Sequence, residues 1–96
     1  MKQSTSSVLA LVALAASLLG CPPAAANVCD KLQSMRAADY SPPAREPCQE
    51  RMDAMRSRSS GEYGMCSQCV MNALDRQALA ACRERCPGFE DALPAK

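Results

Sequence analysis

Six cysteines, Cys29, Cys48, Cys66, Cys69, Cys82 and Cys86, follow a hydrophobic leader that a seventh, Cys21, closes. An even cysteine set behind an export signal reads as a disulfide framework in an oxidising compartment. The chain has 96 residues, and the leader occupies 1–20, or 1–26 under a second cleavage reading. The remainder, 27–96, is one small cysteine-rich domain. A core of that size buries too little of its surface to be stable on packing alone. Tyr40, Tyr63 and Phe89 are the only aromatic residues, so large rings do not make up the deficit. Three disulfides at about 2–4 kcal/mol each do.

In the leader, Lys2 lies in a short polar stretch and Val8 to Leu19 is apolar apart from Ser17. A run of about a dozen residues is too short to span a bilayer, which needs about 20, and has the length of a signal-peptide core. Two cleavage sites compete. Ala24-Ala25-Ala26 is a small-residue site that starts the mature chain at Asn27. Leu18-Leu19-Gly20-Cys21 resembles the bacterial lipobox, which implies cleavage before Cys21 and lipidation of its thiol. Leu19 departs from the usual small residue at that position. Under that reading Pro22 to Ala26 form a short tether. Six thiols remain in the domain either way, so cysteine parity does not choose. No Asn-x-Ser/Thr sequon occurs, which favours a bacterial envelope over a glycosylating secretory route.

Charge and composition remove several functions. The chain carries 11 Lys/Arg and 10 Asp/Glu. With Lys2 in the leader, the domain is balanced, which argues against nucleic acid as a partner. There is no histidine, hence no usual neutral-pH general base and no imidazole metal ligand. No catalytic residue and no cofactor are expected.

The fold class expected is all-α: three to four short helices stapled by disulfides. Asn27 is placed as the cap of a first helix with Val28, Leu32 and Met35 on one face. Ser41-Pro42-Pro43 stops it. A second helix starts at Pro47, a favourable first-turn residue, with Cys48, Met52 and Met55 as its stripe. Glu46 and Glu50 suit its N-terminal dipole. Ser57 to Gly64 reads as a mobile loop. Met65 to Cys86 contains no Gly or Pro and is helical by propensity. Pro87-Gly88 ends it, and Phe89 to Lys96 reads as a tail.

Cys66-x2-Cys69 and Cys82-x3-Cys86 each put two sulfurs on one helix face. At about 100° per residue the two patches point apart on one unbroken helix. Folded back, they are concentric: an antiparallel hairpin joins Cys69 to Cys82 and Cys66 to Cys86. This requires a break near Asn72 to Asp75, with Asp75 as the next N-cap. The layout resembles plant and toxin helical hairpins built on two Cys-x3-Cys motifs, a likeness of geometry that carries no function. Cys29 and Cys48 fit a simple hairpin poorly. Around a turn at Ser41 to Pro43, Cys48 lies opposite about position 36 rather than 29.

Other chemistries compete for the same residues. Cys66, Cys69, Cys82 and Cys86 have finger-like zinc spacing, but an oxidising destination favours disulfides. Cys66-Ser67-Gln68-Cys69 has the Cys-x-x-Cys spacing of thiol oxidoreductases, whose motif sits at a strand-to-helix turn that this chain lacks. Met52, Met55, Met35, Met65 and Met71 offer thioethers for Cu(I), or fill an aromatic-poor core. Arg51, Arg56, Arg58, Arg76, Arg83 and Arg85 alternate with Asp53, Asp75 and Glu84 as on a solvated helix face. The pairs Glu50/Asp53 and Glu90/Asp91 lack a pocket or a histidine to make them catalytic.

The expected function is a non-enzymatic, exported envelope protein. It is tethered to a membrane through lipidated Cys21 and binds or assists another envelope or extracellular protein. A freely secreted effector, toxin-like or inhibitor peptide is the second class. A thiol-redox or metal-binding protein is the third.

Overall fold

The computed structural model describes residues 22–96. The expected leader and the expected lipidation residue Cys21 lie outside the described residues. Four helices follow in order: α1 (Ala25–Ser34), α2 (Arg45–Arg58), α3 (Ser60–Asn72) and α4 (Arg76–Ala81). A 3₁₀ turn, Cys82–Arg85, prolongs α4, and a second, Glu90–Ala92, lies in the C-terminal segment. No strand occurs among the described residues. The chain is a small all-α domain stapled by three disulfides.

The cap of helix α1 is Ala24, three residues before the expected Asn27. Ala24 is extended (φ −70°, ψ 149°) and precedes the first helical residue. Proline disfavours helical geometry in the residue before it and cannot donate a backbone hydrogen bond, so Pro22-Pro23 stay outside the helix, which begins at Ala25 after the Ala24 cap. Asn27 lies inside it. Val28 and Leu32 are fully buried, as their spacing predicts, whereas Met35, expected on the same face, follows the last helical residue and is half-buried against the core.

The reversal between α1 and α2 is not at the prolines. Helix α1 ends at Ser34, and reciprocal backbone hydrogen bonds join Ala37 and Tyr40 (3.0 and 3.1 Å). Gln33 Nε2 donates to the Pro43 carbonyl (2.7 Å) and Arg45 pairs with Asp30 (2.9 Å). The two helices are therefore antiparallel about Ala38-Asp39. That centre brings Cys29 level with Cys48, and they are bonded. Placing the turn at Ser41 to Pro43 displaced the register by several residues and made this pair look mismatched.

Helices α2 and α3 are separated by one residue. Ser57 to Gly64, expected as a mobile loop, is helical except at Ser59. Ser59 Oγ accepts from the Glu62 backbone N–H (3.2 Å), and Arg58 pairs with Glu62 (3.4 Å). Helix α3 runs antiparallel to α2 and parallel to α1: Tyr63 is beside Pro23, and Lys31 Nζ donates to the Met71 carbonyl (3.4 Å).

The helical run expected through Cys86 breaks where the hairpin requires. Helix α3 stops at Asn72, and Asp75 caps α4 by accepting from the Ala78 N–H (2.7 Å). Cys66 joins Cys86 and Cys69 joins Cys82. The concentric hairpin expected from the spacing is thus present.

The C-terminal segment is not a loose tail. Phe89, Ala92 and Leu93 are buried, and the buried Tyr40 hydroxyl donates to the Ala92 carbonyl (2.7 Å). Arg51 donates to both Asp91 oxygens (3.1 and 2.7 Å) and to the Gly88 carbonyl (2.9 Å). Its guanidinium carbon lies 4.8 Å from the Phe89 ring centre. Gly88 makes the turn at φ +81°, a left-handed conformation that glycine adopts without steric cost.

Candidate functional site

Three local arrangements carry chemistry: the N-terminal junction, a lateral groove and the cysteine cluster. At the junction the Tyr63 hydroxyl donates to the Pro23 carbonyl. Tyr63 is 1% exposed, and burial raises its pKa more than the neighbouring Arg56 cation lowers it. The Arg56 guanidinium carbon lies 5.3 Å from the Tyr63 ring centre. Val28 N–H donates to the Ala24 carbonyl (3.1 Å), and Ala25 is buried in the core. Residues 23–25 are therefore part of the folded domain. The stretch Pro22 to Ala26, expected as a tether, is largely consumed by structure.

The groove encloses about 680 Å³. Ala80, Ala81, Pro94 and Ala95 give it an apolar lining. Asp39 and Arg76 pair at one border, joining the first turn to α4, and Lys96 pairs with Glu84 (2.8 Å) at another. The Lys96 hydrogen bond, then its charge, holds the exposed Glu84 carboxyl below its ordinary range. No titratable base faces a nucleophile here. The groove offers small apolar contacts between two exposed ion pairs.

Five of the six domain cysteines are fully buried, and Cys69 is half-buried. Cys69 also lines a shallow depression of about 310 Å³ with Met65, Gln68, Asn72 and Arg85. The four sulfurs with zinc-like spacing are joined in two disulfides. Cys66 and Cys69 lie in the middle of α3 and bond to the other arm, not to each other. They lack the helix N-terminus that depresses a thiol pKa in oxidoreductases. Met52 and Met55 are buried core residues, whereas Met65 is 55% exposed. Glu50 and Asp53 stay on the solvated face of α2, and Asp91 is held by Arg51 rather than by Glu90. Hydrogen bonding by Arg51 is the first cause of the lowered Asp91 pKa.

The Tyr63–Pro23 junction and the Arg51 clamp were not foreseen from the residues. Phe89, Ala92 and Leu93 recur at i, i+3, i+4, a periodicity that marks the C-terminal segment as packed. Ser59-x-x-Glu62 is a capping-box pattern that marks the start of α3. Comparisons with protein-family models, with curated proteins and with solved structures find no match. Among the described residues no helix is long and apolar enough to cross a membrane. Three disulfides in so small a domain indicate an oxidising, extracytoplasmic environment.

Proposed function

We propose that this protein is a non-enzymatic envelope lipoprotein, anchored through Cys21, that binds or assists another envelope or extracellular protein. The observation that carries this reading is the N-terminal junction. Cleavage after Ala26 would remove Ala25 from the core, the Ala24 carbonyl from Val28 and the Pro23 carbonyl from Tyr63. Cleavage before Cys21 keeps all three.

A rigid, cross-linked surface loses little conformational freedom on binding. The groove beside α4 is a concave surface that could receive a partner. Envelope-assembly component, inhibitor and exclusion factor are the roles consistent with such a surface.

Intact mass of the exported protein tests the anchor. Diacylglyceryl or triacyl modification on Cys21 is the expected result, together with loss of membrane association in Cys21→Ala. An unmodified N-terminus at Asn27 overturns the proposal and leaves a freely secreted protein.

A further inference from the structure

An anchor on Cys21 has a geometric consequence, because the chain between it and the folded domain is very short. Pro23 is fastened to Tyr63 through its carbonyl. Two residues reach at most about 7 Å, so Cys21 stays within that distance of Pro23. The neighbouring surface is the junction of α2 and α3. Arg56 stacks on the Tyr63 ring from one side. Arg58, Ser60 and Gly61 are exposed at the same end. The opposite end carries the Ala73–Asp75 turn, roughly 18 Å from Ser60 along α3 at 1.5 Å per residue.

Resting on the lipoprotein reading, we propose that the α2–α3 junction lies against the phospholipid headgroups. Arg56 and Arg58 face lipid phosphates there. The Ala73–Asp75 turn and the Asp39–Arg76 border of the groove project into the aqueous space. A lipid with its glycerol in the headgroup layer, joined to the domain by two residues, leaves no room for the molecule to invert. Local charge is nearly balanced: Glu62 pairs with Arg58, and Asp53 lies one turn before Arg56. The lipid chains therefore supply the attachment, and the two guanidiniums set the tilt. The Arg58–Glu62 pair is 3.4 Å long and exposed on both sides, so an anionic phosphate, which accepts two guanidinium bonds at once, displaces it. Leu74, 92% exposed, then sits on the far side and not in the bilayer.

The chain contains no tryptophan, so a single introduced one reports position. Ser60→Trp and Leu74→Trp are made in the chain beginning at Cys21. The free Cys21 thiol is coupled to a maleimide lipid in vesicles of phosphatidylethanolamine and phosphatidylglycerol, with a headgroup spin-labelled quencher. Circular dichroism checks folding of each variant. Several-fold stronger quenching at position 60 than at 74 is expected. Adding Arg56→Gln and Arg58→Gln should narrow that difference in anionic vesicles. Equal quenching at the two positions, stronger quenching at 74, or a difference indifferent to both arginines overturns the proposal. Because the lipid is attached chemically, this result is independent of whether the cell lipidates Cys21. The mass measurement decides that separately.

Discussion

Cys69 is the one half-buried domain cysteine, and it lines a shallow depression with Met65, Gln68, Asn72 and Arg85, so its disulfide is the one a small thiol should reach first. Attack on Cys69 Sγ forms a mixed disulfide with the reductant and releases Cys82 as thiolate; a second reductant thiol then cleaves the mixed disulfide, releasing the Cys69 thiolate and the reductant's own disulfide. Access controls such exchange as strongly as thiol acidity does. Limiting reductant followed by alkylation and peptide mapping should therefore label Cys69 and Cys82 before the other four. The protein should stay folded at that point, because Cys66–Cys86 still closes the same hairpin. First labelling at Cys29 and Cys48 would contradict the assignment of Cys69 as the vulnerable atom. Pairing at this hairpin was legible in the sequence, since concentric spacing depends only on counting residues. Which of the cysteines is half-buried was not legible, because it depends on how its surroundings, Gln68 and Arg85 among them, pack around α3.

Helix boundaries show where residue type misleads and where it informs. The buried stripes Val28/Leu32 and Cys48/Met52/Met55 and the Asp75 cap were all readable from spacing. Ser57 to Gly64 was not, because serine and glycine content suggested a loop while the Ser59-x-x-Glu62 pattern specified a helix start. The cap also sets the sharp turn from α2 into α3, since Ser59 is the only non-helical residue between them. Replacing Ser59 by Ala should cost about 1 kcal/mol, and by Gly only roughly a few tenths. Denaturant midpoints at unchanged slope read the difference. Equal stability of Ser59→Ala and wild type would mean that the helix start is held by packing of Tyr63 alone. The Cys29–Cys48 register was lost for a related reason. Prolines mark where a helix cannot continue, but the chain had already reversed at Ala37–Tyr40, where no strong turn residue announces it.

At the scale of the whole molecule, the helical core is closed by the segments that flank the helices on either side. The C-terminal segment is fixed by Tyr40, Arg51 and Arg83, and the N-terminal one by Tyr63. Burial pushes the Tyr40 hydroxyl up to about 12. An unfolded tyrosine ionises near 10, so stability from this group is complete below pH 10 and declines between 10 and 12. The N-terminal closure can be isolated by comparing a chain that begins at Cys21 with one that begins at Asn27. The shorter chain lacks the Pro23 and Ala24 carbonyls and the buried Ala25, and should unfold about 1–3 kcal/mol more easily. Tyr63→Phe separates the hydrogen bond from the packing, because the ring remains. It should cost about 1 kcal/mol in the longer chain and almost nothing in the shorter one, where the hydroxyl has already lost its acceptor. Chemical denaturation of the four proteins yields that interaction directly. A Tyr63→Phe effect of the same size in both chains would place the hydroxyl's partner elsewhere. It would also remove the Pro23 contact from the reasons for keeping residues 22–26 on the mature protein, leaving the buried Ala25 and the Ala24 carbonyl, and with it the close tether that fixes which end of the helices meets the membrane.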